Sequence, residues 1–383
     1  MSLSIRSVTF FEADNHDYDT SSNIKFNHSE IKQITQQLIP EVRTLRWTLP
    51  SIHLSQSNDI DQDLIIANKK SESLCGNGFR WVNQPLNCSN LSLNPLDKTI
   101  TNSISSLISS REVLFSSLVV DDYDDIFYSS ELYTKISKSI ARYDTSGFSN
   151  FRFGIGYNIN PGTPFFPFSF SRKDGFSVAV ESFNLINDVW KSTSSYDEIS
   201  KALLNDLMAL NQTCEDLSSK LGIPFLGMDW SLAPLPNSEV SVCGLIEKIA
   251  NAPMGSPGIL SAIERMTQAI KSPINYVKST GFNGVMLSVL EDDMLASRFS
   301  TGHITINDLI LYSSVCGCGL DMIPIAGNVS DYSLSNLASD VGSMAFRLKK
   351  PLGVRMLTIQ GKRQGEPTDF SHDFVTNSVI SSL

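Results

Sequence analysis

The chain has 383 residues, 40 of them acidic and 30 basic, for a formal charge of −10. That balance disfavours nonspecific nucleic-acid binding and offers no polybasic anchor for a membrane surface. Hydrophobic residues at 41% and aromatics at 9% describe a packed chain with a substantial core, and six cysteines in this length make no disulfide framework. No run approaches the roughly 18 apolar residues of a membrane span, and MSLSIRSVTFFEADNHD lacks the apolar core and cleavage site of a signal peptide. A cytoplasmic protein is expected, with no membrane or nucleic-acid partner.

In chain order, Ile5 to Phe11 reads as a strand with Arg6 inside it. A helix capped by Asn27 or Ser29 follows over Glu30 to Ile39, then a strand over Val42 to Leu49 that carries Arg43 and Arg46 on opposite faces. Residues 51–97 are polar and scattered with Asn, Ser and Pro, and are expected to be an irregular surface insertion. Helices are expected over Ile100 to Ser109 and Ser130 to Ala141, with strands over Glu112 to Val120 and Phe151 to Tyr157. Prolines 161, 164 and 167 then exclude regular helix.

Phe176 to Trp190 and Ser195 to Leu221 are expected to be helical; the second has an apolar stripe of Ile199, Leu203, Leu207, Leu210, Leu217 and Leu221. Ile223 to Leu232 reads as a buried strand, followed by helices near Val240 to Ala250 and Pro257 to Ile270 and a short strand at Val285 to Val289. A helix over Asn307 to Ser313 leads into VCGCGLDMIPIAG, and a striped helix from Leu334 to Leu348 leads to a last strand, Leu352 to Ile359. Alternation of strands and helices from end to end, with no clean linker, predicts one α/β domain over residues 1–383.

Several residues stand out chemically. Cys316 and Cys318 share a face if the chain is extended there; they could form a redox pair, bind a soft metal or place a nucleophile beside a resolving partner, or simply be buried. Asp321 lies in an apolar run, where a carboxylate needs a partner; it could cap the turn before Pro324 or bind ligand. Asp229 and Ser231 lie two apart at a predicted strand end, where barrel folds place their ligands, and are the pair expected to grip a polar substrate.

Arg46, Arg355 and the GKRQGE turn with Lys362 could form an anion pocket, although that turn also reads as a solvated loop. Phe165 and Phe166 could line a pocket or pack in a core loop. The acidic run DDYDD at 121–125 could bind a divalent cation or be a solvated turn, and Glu291, Asp292 and Asp293 read as the negative first turn of a helix. The five histidines have no metal or triad spacing, and no nucleophile elbow or dinucleotide fingerprint is present, so no metal or cofactor is assigned.

SIRSVTFF, RTLRWTL, FRFGIGYNINPGTPFFPFSF, FLGMDWSLAPLP, GFNGVMLSVLEDDMLA, VCGCGLDMIPIAG and KKPLGVRMLTIQGKRQGEPTDF run in this order over nearly the whole chain. In these segments the sequence resembles the domain-of-unknown-function 711 family, also called uncharacterised protein family 0210. The resemblance implies a fold similar to the glycyl-radical enzymes such as pyruvate formate-lyase, an α/β barrel of about ten strands covered by helices. It transfers no activity.

A radical enzyme of that kind needs a glycine loop near its C-terminus, yet Gly353, Gly361 and Gly365 lack the Arg-Val-x-Gly-aromatic signature, and no adjacent Cys-Cys pair occurs. Glycyl-radical chemistry is therefore not expected. The expectation is a homo-oligomeric enzyme that binds a small anionic metabolite at one end of the barrel. Arg46, Arg355, Ser231 and Lys362 would bind it, and Asp229, Asp321 and Cys316 would supply the chemistry. The alternative is a non-catalytic ligand sensor or oligomeric scaffold that keeps the barrel.

Overall fold

The computed structural model describes residues 3–13, 27–39, 41–57, 59–91, 98–236, 238–381 and 383. Ten strands form a single sheet: β1 (Ser4–Phe11), β2 (Thr44–Thr48), β3 (Ile52–His53), β4 (Trp81–Asn87), β5 (Leu114–Val120), β6 (Phe153–Tyr157), β7 (Gly175–Glu181), β8 (Phe225–Asp229), β9 (Gly319–Ala326) and β10 (Leu352–Ile359). Their spatial order is β8-β7-β1-β2-β4-β5-β6-β10-β9, with β3 beside β4.

Parallel pairing runs from β1 through β2, β4 and β5 to β6. It runs again from β7 to β8 and from β9 to β10. The two sets meet antiparallel, β1 against β7 and β6 against β10. Between β8 and β9 lies the segment 278–288, which pairs parallel with both neighbours through isolated bridges: Met228 with Ser279, Leu232 with Val285, and Ser288 with Asp321. It acts as the tenth stave, so two five-stave halves of opposite direction close into a barrel.

That closing segment is irregular, with positive φ at Gly281 and Asn283. Its shape is held by Asp229 at the end of β8. The carboxylate accepts from the Phe282 N–H at 2.7 Å, the Asn283 N–H at 3.2 Å, and the Ser231 N–H and hydroxyl at 3.0 and 2.6 Å. Ser231 Oγ in turn accepts from the Gly284 N–H at 3.2 Å, and Asn283 Oδ1 from the Trp230 N–H at 3.0 Å. Glycine is required at 281, because a Cβ there would sit 2.1 Å from the Asp229 oxygen.

The connection between the halves, residues 158–171, folds back into the barrel. Its carbonyls and hydroxyl are met by side chains of the first half: Thr9 donates to Pro164, Asn83 to the Ser169 carbonyl, and Thr48 shares a hydrogen bond with the Ser169 hydroxyl. This explains why inward positions of these strands are polar although buried, since a loop in a core must have its backbone groups satisfied. Phe168 fills the middle, pressed so closely on β10 that a Cβ at Gly353 would lie 2.5 Å from its ring.

Helices cover the outside through apolar stripes. In Tyr196–Leu221 the buried positions are Ile199, Leu203, Leu207, Leu210, Cys214 and Leu217; Ser195 caps the start and left-handed Gly222 ends it. Residues 51–97 differ from the expected irregular insertion. Ile60–Gly76 is a helix that buries Ile60, Leu64, Ala67, Ser71 and Leu74, and β4 lies mid-sheet between β2 and β5. A second difference is Phe176–Glu181, which belongs to β7 and pairs with β1, the helix starting only at Phe183.

The closure rests on one carboxylate, and this can be tested. Asp229→Ala leaves four buried donors without an acceptor, so at about 1–3 kcal/mol for each unsatisfied group the loss is expected to exceed ~3 kcal/mol. Urea unfolding followed by tryptophan fluorescence measures it; a loss below ~1 kcal/mol would contradict the closing role.

Candidate functional site

A cavity of about 280 Å³ opens at the barrel end where the first-half strands begin. Five guanidiniums border it, those of Arg6, Arg43, Arg46, Arg80 and Arg355, against the carboxylates of Glu291 and Asp321. The remaining wall is mostly aromatic, from Trp81, Phe115, Phe151 and the inserted loop's Phe165, Phe166 and Phe168. β1 contributes Arg6 and β2 contributes Arg46, each the one charged residue of its strand.

The five arginines are not equivalent. Arg355 donates to both Asp321 oxygens, Nε at 2.7 Å and Nη2 at 2.8 Å, and reaches Glu291 at 3.3 Å and the Phe151 carbonyl at 3.2 Å. Burial works against its charge, but the two carboxylates more than compensate and hold its pKa above the usual arginine value. Arg43 pairs with Glu181.

Arg46 is different. It is 6% exposed, and its Nε donates to Thr44 Oγ1 at 3.1 Å. Its guanidinium carbon lies 4.9 Å from the Trp81 ring centre and 5.3 Å from that of Phe166. Among the described residues no carboxylate pairs with it. Burial, then the positive charges of Arg6 and Arg43, drives its pKa down. Arg6 is also lowered chiefly by burial; it faces the Phe165 ring at 5.5 Å and reaches the Pro234 carbonyl at 3.5 Å. Guanidinium keeps its proton in proteins, so this cavity carries uncompensated positive charge against ring faces.

Two further groups on the wall carry chemistry. The Ser288 hydroxyl is buried without a hydrogen-bond partner among the described residues. Cys318 reaches the cavity, and its sulfur accepts from the Leu287 N–H at 3.3 Å. Cys316 does not line the cavity; it lies two residues before Cys318 in the same turn, where the two thiols shift each other's pKa in opposite directions. The Cys318 thiol and the nearby Lys350 ammonium favour the Cys316 thiolate against its burial, and Cys318 is correspondingly raised. Residues 316–318 lie in the turn before β9, so it is the turn and not an extended strand that brings the sulfurs together.

Arg46, Arg355 and Asp321 therefore converge on one cavity. Asp229 and Ser231, expected to grip a polar substrate, do not line it: they are fully buried and hydrogen-bonded to each other and to the closing segment. A strand end in this barrel is also a packing position, because the chain continues past β8 into its bridge at Leu232. Lys362 lies off the cavity, its ammonium bonded to the Pro367 carbonyl at 2.7 Å and to Asp369 at 3.0 Å within its own turn.

The DDYDD carboxylates serve local structure: Asp122 caps the turn, Asp121 pairs with Arg172, and Asp125 accepts from the Asn90 N–H. Among the described residues no three His, Cys, Asp or Glu side chains converge as metal ligands. Sequence reasoning did not name Arg6, Trp81 or Glu291 as wall residues, and it singled out Cys318 only as the partner of Cys316. For Arg6 the signal was present, since it interrupts its strand as Arg46 does.

Residues 2–371 match the family described as Uncharacterised ACR (DUF711). The chain belongs to this family. Relatives include a UPF0210 protein of Pyrobaculum arsenaticum, 29% identical over 227 residues, covering 56% of this chain and 51% of the relative. A UPF0210 protein of Bifidobacterium longum subsp. infantis is 34% identical over 160 residues, covering 41% of this chain and 35% of the relative.

This family member thus matches about half or less of the length of these relatives. Among solved structures, the anaerobic ribonucleotide reductase from Thermotoga maritima aligns with 93% of this chain and 80% of its own at TM-score 0.43 and 10% identity. The alpha subunit of the class Id ribonucleotide reductase of Actinobacillus ureae aligns with 93% and 84% at TM-score 0.41 and 8% identity. No helix among the described residues is long and apolar enough to cross a membrane.

The Arg355–Asp321 pair separates electrostatic support from packing. Arg355→Met leaves two carboxylates facing each other at the cavity and is expected to cost about 3–5 kcal/mol. Adding Asp321→Leu should restore a large part of that stability in urea titration. If the double variant is no more stable than the single one, the pair is not a compensated buried charge.

Proposed function

We propose that this protein binds a small anionic metabolite in the arginine-lined cavity of its barrel. The observation that carries the reading is Arg46, a buried guanidinium held between aromatic faces with no carboxylate partner. Burying a charge is unfavourable unless a counter-charge arrives, and an anion lodged at Arg46 and Arg6 supplies one. A carboxylate suits the guanidinium fork, and the phenylalanines suit an apolar or aromatic body behind it. Arg355, already saturated by Asp321, shapes the site and is not its main anion ligand.

Catalysis is the finer part of the proposal. Ser288 and Cys318 are the wall groups suited to touch a bound ligand, with Cys316 acting through Cys318. Asp321 is committed to Arg355 and is a poor free base. A non-catalytic sensor remains the second reading, favoured by that same commitment, and an oligomer is compatible with either. Turnover of a bound ligand decides between enzyme and sensor.

The binding claim has a signature that separates it from a structural arginine. Arg46→Met should stabilise the ligand-free protein by about 0.5–2 kcal/mol, because it replaces an unpaired buried charge with an isosteric apolar chain. The same variant should lose the melting-temperature increase that carboxylates such as benzoate give the wild type. A wild type indifferent to a panel of carboxylates and phosphates, together with a destabilised Arg46→Met, contradicts the reading.

A further inference from the structure

The structure places a Cys-Gly-Cys turn behind the cavity with a division of labour between its sulfurs. Cys318 is on the wall, where a molecule in the cavity can reach it. Cys316 is 1% exposed and sits two residues away in the same turn, off the cavity wall. The turn is held from two sides. The Gly317 N–H donates to the Val285 carbonyl at 2.6 Å, and the Leu287 N–H donates to the Cys318 sulfur at 3.3 Å. Lys350 donates to the carbonyls of Ser313 at 3.0 Å, Ser314 at 3.3 Å and Cys316, placing an ammonium beside the inner thiol.

The other cysteines lack this arrangement. Cys88, Cys214 and Cys243 are buried, and burial raises each thiol pKa. Cys75 is half-buried and is also raised by burial.

We propose that Cys316 and Cys318 are a two-electron dithiol/disulfide centre that opens on the cavity and exchanges with low-molecular-weight disulfides bearing carboxylates. Cys318 Sγ attacks one sulfur of the incoming disulfide, forming a mixed disulfide and expelling the first thiolate. Cys316 Sγ then attacks the Cys318 sulfur, forming the Cys316–Cys318 bond and expelling the second thiolate. Cys318 passes its proton to the Cys316 thiolate as it attacks, Cys316 releases that proton to the first departing thiolate, and the second takes one from solvent, so the dithiol is oxidised and the small disulfide reduced to two thiols. The thiolate form of Cys316, favoured by Cys318 and Lys350, suits the resolving role. The dithiol stands on its own geometry. The preference for an anionic partner rests on the anion-binding reading, because it follows from Arg6 and Arg46 on the same wall.

The test uses the whole 383-residue chain with Cys75→Ser, which removes the most exposed thiol. Dithiodipropionate and cystamine are aliphatic disulfides of opposite charge. Each rate is divided by that of a free small thiol under the same conditions. The expected product with either is protein lighter by two hydrogens, about 2 Da, with the bridge mapped to Cys316–Cys318. Cys316→Ser should instead stop at a stable mixed disulfide on Cys318, and Cys318→Ser should not react at Cys316.

Dithiodipropionate should be faster by about tenfold at low salt, and Arg46→Gln should reduce that ratio. If native Cys318 is inert while the unfolded chain reacts, or if the mixed disulfide persists in the presence of Cys316, the dithiol centre is overturned. Bridge formation at equal rates with both disulfides overturns the anionic preference and leaves the dithiol intact.

Discussion

A guanidinium cannot shed its proton at any ordinary pH, so each arginine placed in a barrel interior must find a counter-charge, a ring face or a ligand. The cavity shows the first two solutions. Arg355 has Asp321 and Glu291, Arg43 has Glu181, and Arg46 has only Trp81, Phe166 and the Thr44 hydroxyl. Because the strands that carry these side chains are neighbours in one closed sheet, the charges cannot separate without opening the barrel. The positive character of the cavity is thus built into the fold, within a chain whose net charge is −10.

Closure supplies the geometry on which that depends. Nine regular strands form the barrel path, and the last gap is bridged by 278–288, whose backbone bends too sharply for a ladder. Asp229 adds side-chain hydrogen bonds at Phe282 and Asn283, in the bend between the backbone bonds that Met228 and Leu232 make to the same segment, and Val285 of that segment accepts from Gly317 in the turn that carries Cys318. The inserted loop completes the arrangement. Phe168 fills the barrel centre while Phe165 and Phe166 face the arginines, so the interior is closed in the middle and hollow at one end.

Much of this fold was legible in the sequence. The stripe from Ile199 to Leu217 and the apolar run at Leu352 to Ile359 carried their periods openly. β4 was not legible, because Asn83, Gln84 and Pro85 sit in its centre and polar residues with proline argue against a buried central strand. Its Asn83 is polar for a reason outside the strand, namely the inserted loop that it bonds. β7 was hidden because GFSVAVE runs almost directly into a helix, leaving no turn residue to mark the change.

For the site, Arg46, Arg355 and Asp321 are the singled-out charged residues that the fold brings to the cavity wall. Asp229 is not on that wall. A buried carboxylate signals that partners exist, but not whether they are ligand or backbone, and here they are the backbone N–H groups of a segment some 50 residues away.

The central claim is that Arg46 marks an anion site. Its most direct measurement is a crystal structure grown with a brominated benzoate, with the anion located by the anomalous signal of bromine. The account predicts a bromine peak inside the cavity, with the carboxylate within hydrogen-bond distance of Arg46 or Arg6 and the ring against the phenylalanines. Bromine peaks confined to the protein exterior, with the Arg46 guanidinium turned to a protein carboxylate, would contradict it.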